Sequence, residues 1–332
     1  MENGYYTRKE INAQSEAFEK VLERKEVIRE ILSFEEAKNV AFIGCGSSYY
    51  LSISAAYHLR RRLNIPSYAF TGFGTFKYPD TRFEEDKKCT VIGISRSGES
   101  SETVMALKSL KDNKNIQTIA LTCTPDSSLT KVSDRSLVLP FLEEKSVVMT
   151  GSFTSMLLSL QGAMGDEGLD ALPEFAEEIL DESFQSFDEL NGFEHFVYLG
   201  YDEYFGLANE GALKMREMAL GHTESYESLE YRHGPKSLVT DKTLILIMPS
   251  KESLGEEEEL SREMRKLGAT TVNVSPWKSD AFDLWIDTKL DVSNRSDVAL
   301  RMIPLQVVAF KKAIQKGIDP DVPVNLDKVV KL

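Results

Sequence analysis

The chain has 332 residues, 42% of them apolar and 28% charged, a globular composition long enough for two domains of ordinary size. Its 39 basic and 53 acidic residues leave a net charge of −14, which argues against a nucleic-acid groove or an anionic membrane surface as partner. Four scattered histidines argue against a histidine-built metal site, Met1-Glu2-Asn3-Gly4 opens no export signal, no apolar run is of membrane-spanning length, and Cys45, Cys89 and Cys123 lack CxxC spacing, so reduced thiols and a cytoplasmic location are expected.

Over residues 8–32, Ile11, Phe18, Val21, Leu22, Val27, Ile28, Ile31 and Leu32 recur at helical spacing, which predicts an amphipathic helix ahead of the first strand. Asn39-Val40-Ala41-Phe42-Ile43 then reads as a strand that ends in Gly44-Cys45-Gly46-Ser47-Ser48 and leads into helix. Further short strands are predicted at 68–71, 91–94, 118–122 and 137–139, alternating with helices, a pattern that gives a doubly wound parallel sheet. In such sheets ligands bind beyond the carboxyl ends of the strands.

One of those ends carries Ser95-Arg96-Ser97-Gly98-Glu99-Ser100-Ser101-Glu102-Thr103. Four hydroxyls, at Ser95, Ser97, Ser100 and Thr103, surround a glycine at the start of a helix, where unpaired N–H groups and the helix dipole favour an anion. A single serine there reads as a helix cap; four read as a receptor for a phosphate, with Arg96 adding charge if it turns inward.

Residues 166–193 are acidic and read as a connecting helix, after which the pattern repeats. Gly44 matches Gly200, Thr90 matches Thr243 and Thr118 matches Thr271, at offsets of 156, 153 and 153 residues, so the chain reads as two copies of one α/β unit. In the second copy Met248-Pro249-Ser250-Lys251-Glu252-Ser253 stands where the first has its phosphate turn, and Pro249 removes a donor. Glu210, Lys214 and Glu217 share one helical face, a pattern that an exposed ion-pair ladder also produces. His233 precedes Gly234-Pro235, a turn able to present an imidazole to a cleft. A carboxylate and an imidazole beside a sugar phosphate can open the ring and move a proton next to a carbonyl.

Together these motifs resemble the sugar isomerase (SIS) domain proteins, and specifically the tandem enzymes that include the isomerase half of glucosamine-6-phosphate synthase. Gly44 to Ser48 is similar to the family's first substrate loop, Ser95 to Ser100 to its SxSGET phosphate loop, and Glu210-Gly211-Ala212-Leu213-Lys214 with Glu217 to its EGALKxxE helix. His233-Gly234-Pro235 resembles its HGP turn, and Pro323-Val324-Asn325-Leu326-Asp327-Lys328 its PRNLxK tail, with Val324 in place of the tail's arginine. Met149-Thr150-Gly151-Ser152-Phe153-Thr154 and Arg232 to Ser237 look more like AgaS-like and second-type glucosamine-6-phosphate deaminases, and no glutaminase domain is expected ahead of the helical lead-in.

The resemblance implies an α/β fold of two tandem SIS domains, each a doubly wound parallel sheet flanked by helices. Residues 1–33 are then a helical lead-in, 34–165 the first, phosphosugar-binding SIS domain, 166–193 a helical linker, and 194–332 the second SIS domain with its tail. It further implies Glu217, His233, Lys328 and Lys214 as catalytic residues, and Ser47, Ser48, Ser95, Arg96, Ser97, Ser100, Thr103, Thr150 and Glu210 as substrate or phosphate residues. Glu217 is expected to move a proton between C1 and C2, and His233 to assist ring opening from the partner subunit of a homodimer with shared active sites. No cofactor or metal is expected. The expected reaction converts glucosamine 6-phosphate and water to fructose 6-phosphate and ammonia. The alternatives are a galactosamine-6-phosphate deaminase, a fructosamine-phosphate deglycase, or a regulatory module that senses a sugar phosphate.

Overall fold

Val40-Ala41-Phe42-Ile43 offers no polar face, and it forms a strand buried at every position. Such strands sit inside parallel sheets that helices cover on both sides. The computed structural model, which describes residues 3–34, 36–84, 87–291, 295–330 and 332, has two of these sheets. The lead-in is α1 (Tyr5–Asn12), α2 (Gln14–Leu22) and α3 (Lys25–Ile31). The first half follows as β1 (Val40–Gly44), α4 (Ser47–Leu63), β2 (Ser67–Thr71), α5 (Gly72–Lys77), β3 (Cys89–Ile94), α6 (Ser101–Leu110), β4 (Ile116–Thr122), α7 (Ser128–Val132), β5 (Arg135–Val138) and α8 (Gly151–Ala163). After α9 (Leu172–Ser186) the second half is β6 (His195–Gly200), α10 (Glu203–Ala219), β7 (His222–Tyr226), β8 (Thr243–Met248), α11 (Leu254–Lys266), β9 (Thr270–Val274), β10 (Leu284–Ile286) and α12 (Val298–Gln315).

Both sheets are parallel throughout and have one topology, β2-β1-β3-β4-β5 in the first and β7-β6-β8-β9-β10 in the second. The chain reverses direction across the sheet between β1 and β3, which makes their carboxyl ends the place for a ligand.

The duplication reaches the level of single dihedral angles. Gly46 before α4 has φ 55° and ψ −128°, and Asp202 before α10 has φ 54° and ψ −121°. Glycine takes this conformation freely, whereas in an aspartate it costs on the order of 1–3 kcal/mol. Both helices also end in a left-handed residue, Asn64 and Leu220. Thr118 gives its N–H and hydroxyl to Asp134, both at 2.8 Å, and Thr271 gives the same two groups to Asp283 at 2.8 and 3.2 Å.

The lead-in departs from the single amphipathic helix read from its sequence. It breaks at Ala13 because Gln14 turns inward: its amide donates to the Ile11 carbonyl at 3.0 Å and accepts from the Thr154 hydroxyl at 2.6 Å, fully buried. The two halves are joined by α4 packed on α10 and by α12, whose buried Gln306 donates to the Thr150 carbonyl at 3.0 Å. His58 of α4 lies 2.7 Å from Asp166 and 3.9 Å from Glu203 of α10; burial opposes its charge, the two carboxylates outweigh that, and its pKa rises to about 9. Among the described residues no helix is long and apolar enough to cross a membrane.

Candidate functional site

The hydroxyl-rich turn between β3 and α6 folds around Ser95, which is buried and reaches Ser100 Oγ at 3.1 Å while accepting the Gly98 N–H at 3.1 Å. Ser97 accepts the Glu99 N–H at 3.1 Å, and Glu99 in turn holds the Ser128 N–H and hydroxyl at 2.8 and 2.7 Å. Ser100 occupies the N-cap position of α6 without making a side-chain cap, so the first amides of α6 have no capping oxygen from it. Gly98 has φ 66°, and a Cβ there would lie 2.2 Å from Ser127 Oγ. Gly98→Ala is therefore expected to lower stability by about 2–3 kcal/mol, read as a lower urea midpoint.

Arg96 corrects one sequence expectation. Its guanidinium turns away from the turn into the 144–148 segment, where it binds the Glu144 carboxylate at 2.9 Å and the carbonyls of Ser146, Val147 and Val148 at 3.4, 2.5 and 3.0 Å. Thr150 is also fully buried and gives its N–H and hydroxyl to Glu144 at 3.0 and 2.8 Å. Ser152 adds its N–H at 3.0 Å and its hydroxyl. Burial alone would raise the Glu144 pKa; the Arg96 charge and these donors outweigh it and hold the carboxyl below its usual range. Glu144 was not singled out from the sequence, where nothing local marks it, because the arginine it meets lies 48 residues away.

The N-terminus of α4 supplies Ser47 and Ser48, both buried. A Cβ at Gly44 would lie 2.5 Å from the Ser48 backbone, so the glycine is what lets α4 start this close to its strand. Ser48 Oγ is 3.9 Å from the Met149 sulfur, next to the Glu144 cluster. Ser47 Oγ accepts from Lys214 Nζ at 3.1 Å, which links the first half to α10 of the second. Thr103 lies one turn into α6, fully buried, 3.6 Å from Cys45 Sγ.

On α10, Lys214 is fully buried, pairs with Glu210 at 3.2 Å and makes a close ion pair with Glu217. The exposed-ladder reading of these three residues is thereby excluded. Burial works against the Lys214 ammonium, and the two carboxylates overcome it and raise its pKa. Burial pushes Glu210 up to about 7, partly offset by Lys214 and reinforced by Glu217. Glu217 is the one of these three residues with solvent access, 19% exposed in its side chain. A partly exposed carboxylate backed by a buried ammonium and a titratable acid can take up a proton and polarise a carbonyl oxygen.

The tail reaches the same place. Lys328 Nζ donates to the Glu144 carbonyl, and the Leu332 N–H donates to Ser101 Oγ at the start of α6 at 3.2 Å. His233 stays apart: it is exposed, and among the described residues its imidazole makes no hydrogen bond within the chain. No cluster of three or more histidine, cysteine or acidic side chains among the described residues can hold a metal ion.

The family model described as SIS domain matches residues 33–164. The crystal structure of glucosamine-6-phosphate deaminase from Thermotoga maritima aligns with a TM-score of 0.79 at 32% identity, covering 95% of this chain and 99% of that one. Tagatose-6-phosphate ketose/aldose isomerase from Escherichia coli gives a TM-score of 0.86 at 22% identity over 96% of this chain and 95% of its own, a likeness of fold. The glutamine–fructose-6-phosphate aminotransferase (isomerizing) of Pyrobaculum aerophilum is 31% identical over 316 residues, 89% of this chain and 51% of that protein. The chain spans about half the length of the curated relatives it matches. With a solved relative matched over nearly its whole length, and the family model resting on the half that carries the hydroxyl-rich turn, this chain belongs to the SIS domain family.

Proposed function

We propose that this protein is a phosphosugar isomerase-type enzyme that deaminates an amino-sugar 6-phosphate, converting glucosamine 6-phosphate and water to fructose 6-phosphate and ammonia. The observation that carries the reading is the contact of Lys214 with Ser47 and Glu217, which sets an acid–base group from the second half against the substrate loop of the first. The Thermotoga maritima deaminase, similar at 32% identity across both chains, supports the amino-sugar branch.

In this reading the phosphate docks on Ser95, Ser97, Ser100 and the first amides of α6, with Ser47 and Ser48 towards the sugar. Arg96 and Thr150 hold the turn in place through Glu144. Ring opening exposes the C1 aldehyde, assisted by His233 from the second protomer of a homodimer. Glu217 takes the proton from C2, the electron pair moves towards C1, and the enolamine is reprotonated at C1 to give a C2 imine. Water adds to C2, and ammonia leaves. Lys214 and Lys328 supply positive charge at the oxygen and nitrogen end of the open chain. The phosphate anchors C1 and C2 against Glu217, so glucosamine lacking the phosphate loses turnover as well as affinity.

The test is release of ammonia and fructose 6-phosphate from glucosamine 6-phosphate by the purified chain, with galactosamine 6-phosphate run in parallel. Equal yields of both products from the glucosamine ester are expected. No release from either sugar, despite thermal stabilisation by both, would overturn the deaminase reading in favour of a deglycase or a sugar-phosphate sensor.

A further inference from the structure

The second half repeats the strand, turn and helix of the phosphate site, and its turn is filled from within. Helix α11 begins 153 residues after α6, which places Ser250 and Ser253 where the first half has Ser97 and Ser100. Their hydroxyls lie 2.8 Å apart, and each accepts the other residue's N–H at 3.2 Å. Ser253 Oγ then donates to Glu257 Oε2 at 2.5 Å, and Ser228 Oγ donates to Glu257 Oε1.

Glu257 is fully buried, and among the described residues no lysine or arginine lies within ion-pair distance of it. A carboxylate that accepts from the Ser228 and Ser253 hydroxyls beside a helix start, with the Arg301 charge and the Ser250 backbone also acting on it, has the donor set of a phosphate site, with an internal anion in place of an external one. Burial pushes its pKa up to about 7, and the Ser228 and Ser253 hydroxyls, the Arg301 charge and the Ser250 backbone offset only part of that rise. The position is specific to the second copy, because its counterpart in α6 is Val104, which leaves the hydroxyls of the first turn to one another and to a ligand.

A second observation marks the turn as an anion site. Arg301 is fully buried, donates from Nη1 to the Pro249 carbonyl at the head of the turn, and pairs through Nε with Asp297 at 2.6 Å. Its Nη2 makes no hydrogen bond among the described residues. The pair Arg301–Asp297 sits at the start of α12, the last helix of the second half, as the Glu144 cluster sits just ahead of α8, the last helix of the first, so each turn has a buried arginine–carboxylate pair beside it.

We infer that the second half contains a phosphate-type anion receptor that the chain keeps closed with its own Glu257 carboxylate, so that removing this carboxylate opens a second site for a phosphate group. The inference rests on the reading of the first turn as a phosphate site. A tethered carboxylate competes with free phosphate at an effective concentration in the millimolar range or above, enough to exclude it. The closed second turn explains how a duplicated chain comes to bind one sugar phosphate.

The experiment is equilibrium dialysis of the whole chain against radiolabelled inorganic phosphate, counting phosphates per chain in the wild type, Glu257→Ala and Glu257→Gln. The expected counts are one, two and one, because glutamine still fills the turn. The wild-type count tests the first turn, and the increment on going to alanine tests the second. No increment in a folded Glu257→Ala protein overturns the inference, as does an increment in Glu257→Gln, which would assign the gain to charge and not to vacancy. If Glu257→Ala does not fold, Glu257→Ser, which leaves a hydroxyl beside Ser228 and Ser253, provides the same count. A wild-type count of two would overturn the closed site directly.

Discussion

On the proposed reaction, Glu217→Gln is expected to lower ammonia release from glucosamine 6-phosphate by about 10³-fold, within the range for loss of a positioned acid–base group. Binding of fructose 6-phosphate should stay within about threefold of wild type, since the lost interaction is made in the transition state. The separation follows from where the side chain sits. Glu217 is on α10, one helical turn from Lys214, whereas the hydroxyl-rich turn proposed to hold the phosphate hangs from β3 and α6 in the other half. The amide removes the proton acceptor and leaves the turn untouched. It also removes a negative charge that raises the Glu210 pKa, so Glu210 ionises more readily and Lys214 keeps a partner at 3.2 Å. No uncompensated ammonium is left in the core, and the variant should fold. Ammonia release at saturating substrate, with calorimetric binding of fructose 6-phosphate alongside, reads both quantities. Near-normal turnover would remove Glu217 from the proton-transfer role.

How far a sequence discloses such a site depends on whether a residue's surroundings are local. The strands were legible because a parallel sheet buried on both faces needs runs such as Val40 to Ile43 and Thr243 to Ile247 with no polar residue to interrupt them. The duplication was legible because strand spacing survives drift, and the paired dihedrals at Gly46 and Asp202 extend it to positions where the residue type has changed. The edge strands β2 and β5 of the first sheet were legible, whereas those of the second were not: β7 and β10 carry His222, Glu224 and Ser225, or only three residues, and lack the apolar signature of the centre. The turn at Ser95 was legible as a cluster of donors. The direction of Arg96 was not, because its partner Glu144 is 48 residues away and the choice between ligand and carboxylate is made by a loop that folds back over β3. The same holds for α10, where spacing alone cannot tell an exposed ladder from the fully buried Lys214.

Glu144→Ala tests that folded-back loop and carries the largest expected cost to stability. The substitution leaves the Arg96 guanidinium, 8% exposed, without its carboxylate, and orphans the hydroxyls of Thr150 and Ser152. Removing one partner of a buried ion pair costs about 3–5 kcal/mol, a large fraction of the stability of an ordinary domain. Glu144→Gln should cost less, because one oxygen still accepts from Thr150 while the amide nitrogen faces the guanidinium unfavourably. Urea unfolding reads the difference, and a loss below about 1 kcal/mol in the alanine variant would show that other groups hold Arg96. The pH dependence gives an independent sign. The folded-state pKa of Glu144 lies below its ordinary value of 4.5, so its contribution is present above that value and is lost as the pH falls through the depressed one. The alanine variant should lack this part of the acid-induced loss. Activity should fall with stability, because three separate elements meet on this loop: the hydroxyl-rich turn through Arg96, α12 through Gln306 at the Thr150 carbonyl, and the tail through Lys328 at the Glu144 carbonyl. A loop that holds all three makes the geometry of the Ser95 turn and the position of the tail lysine depend on one buried carboxylate.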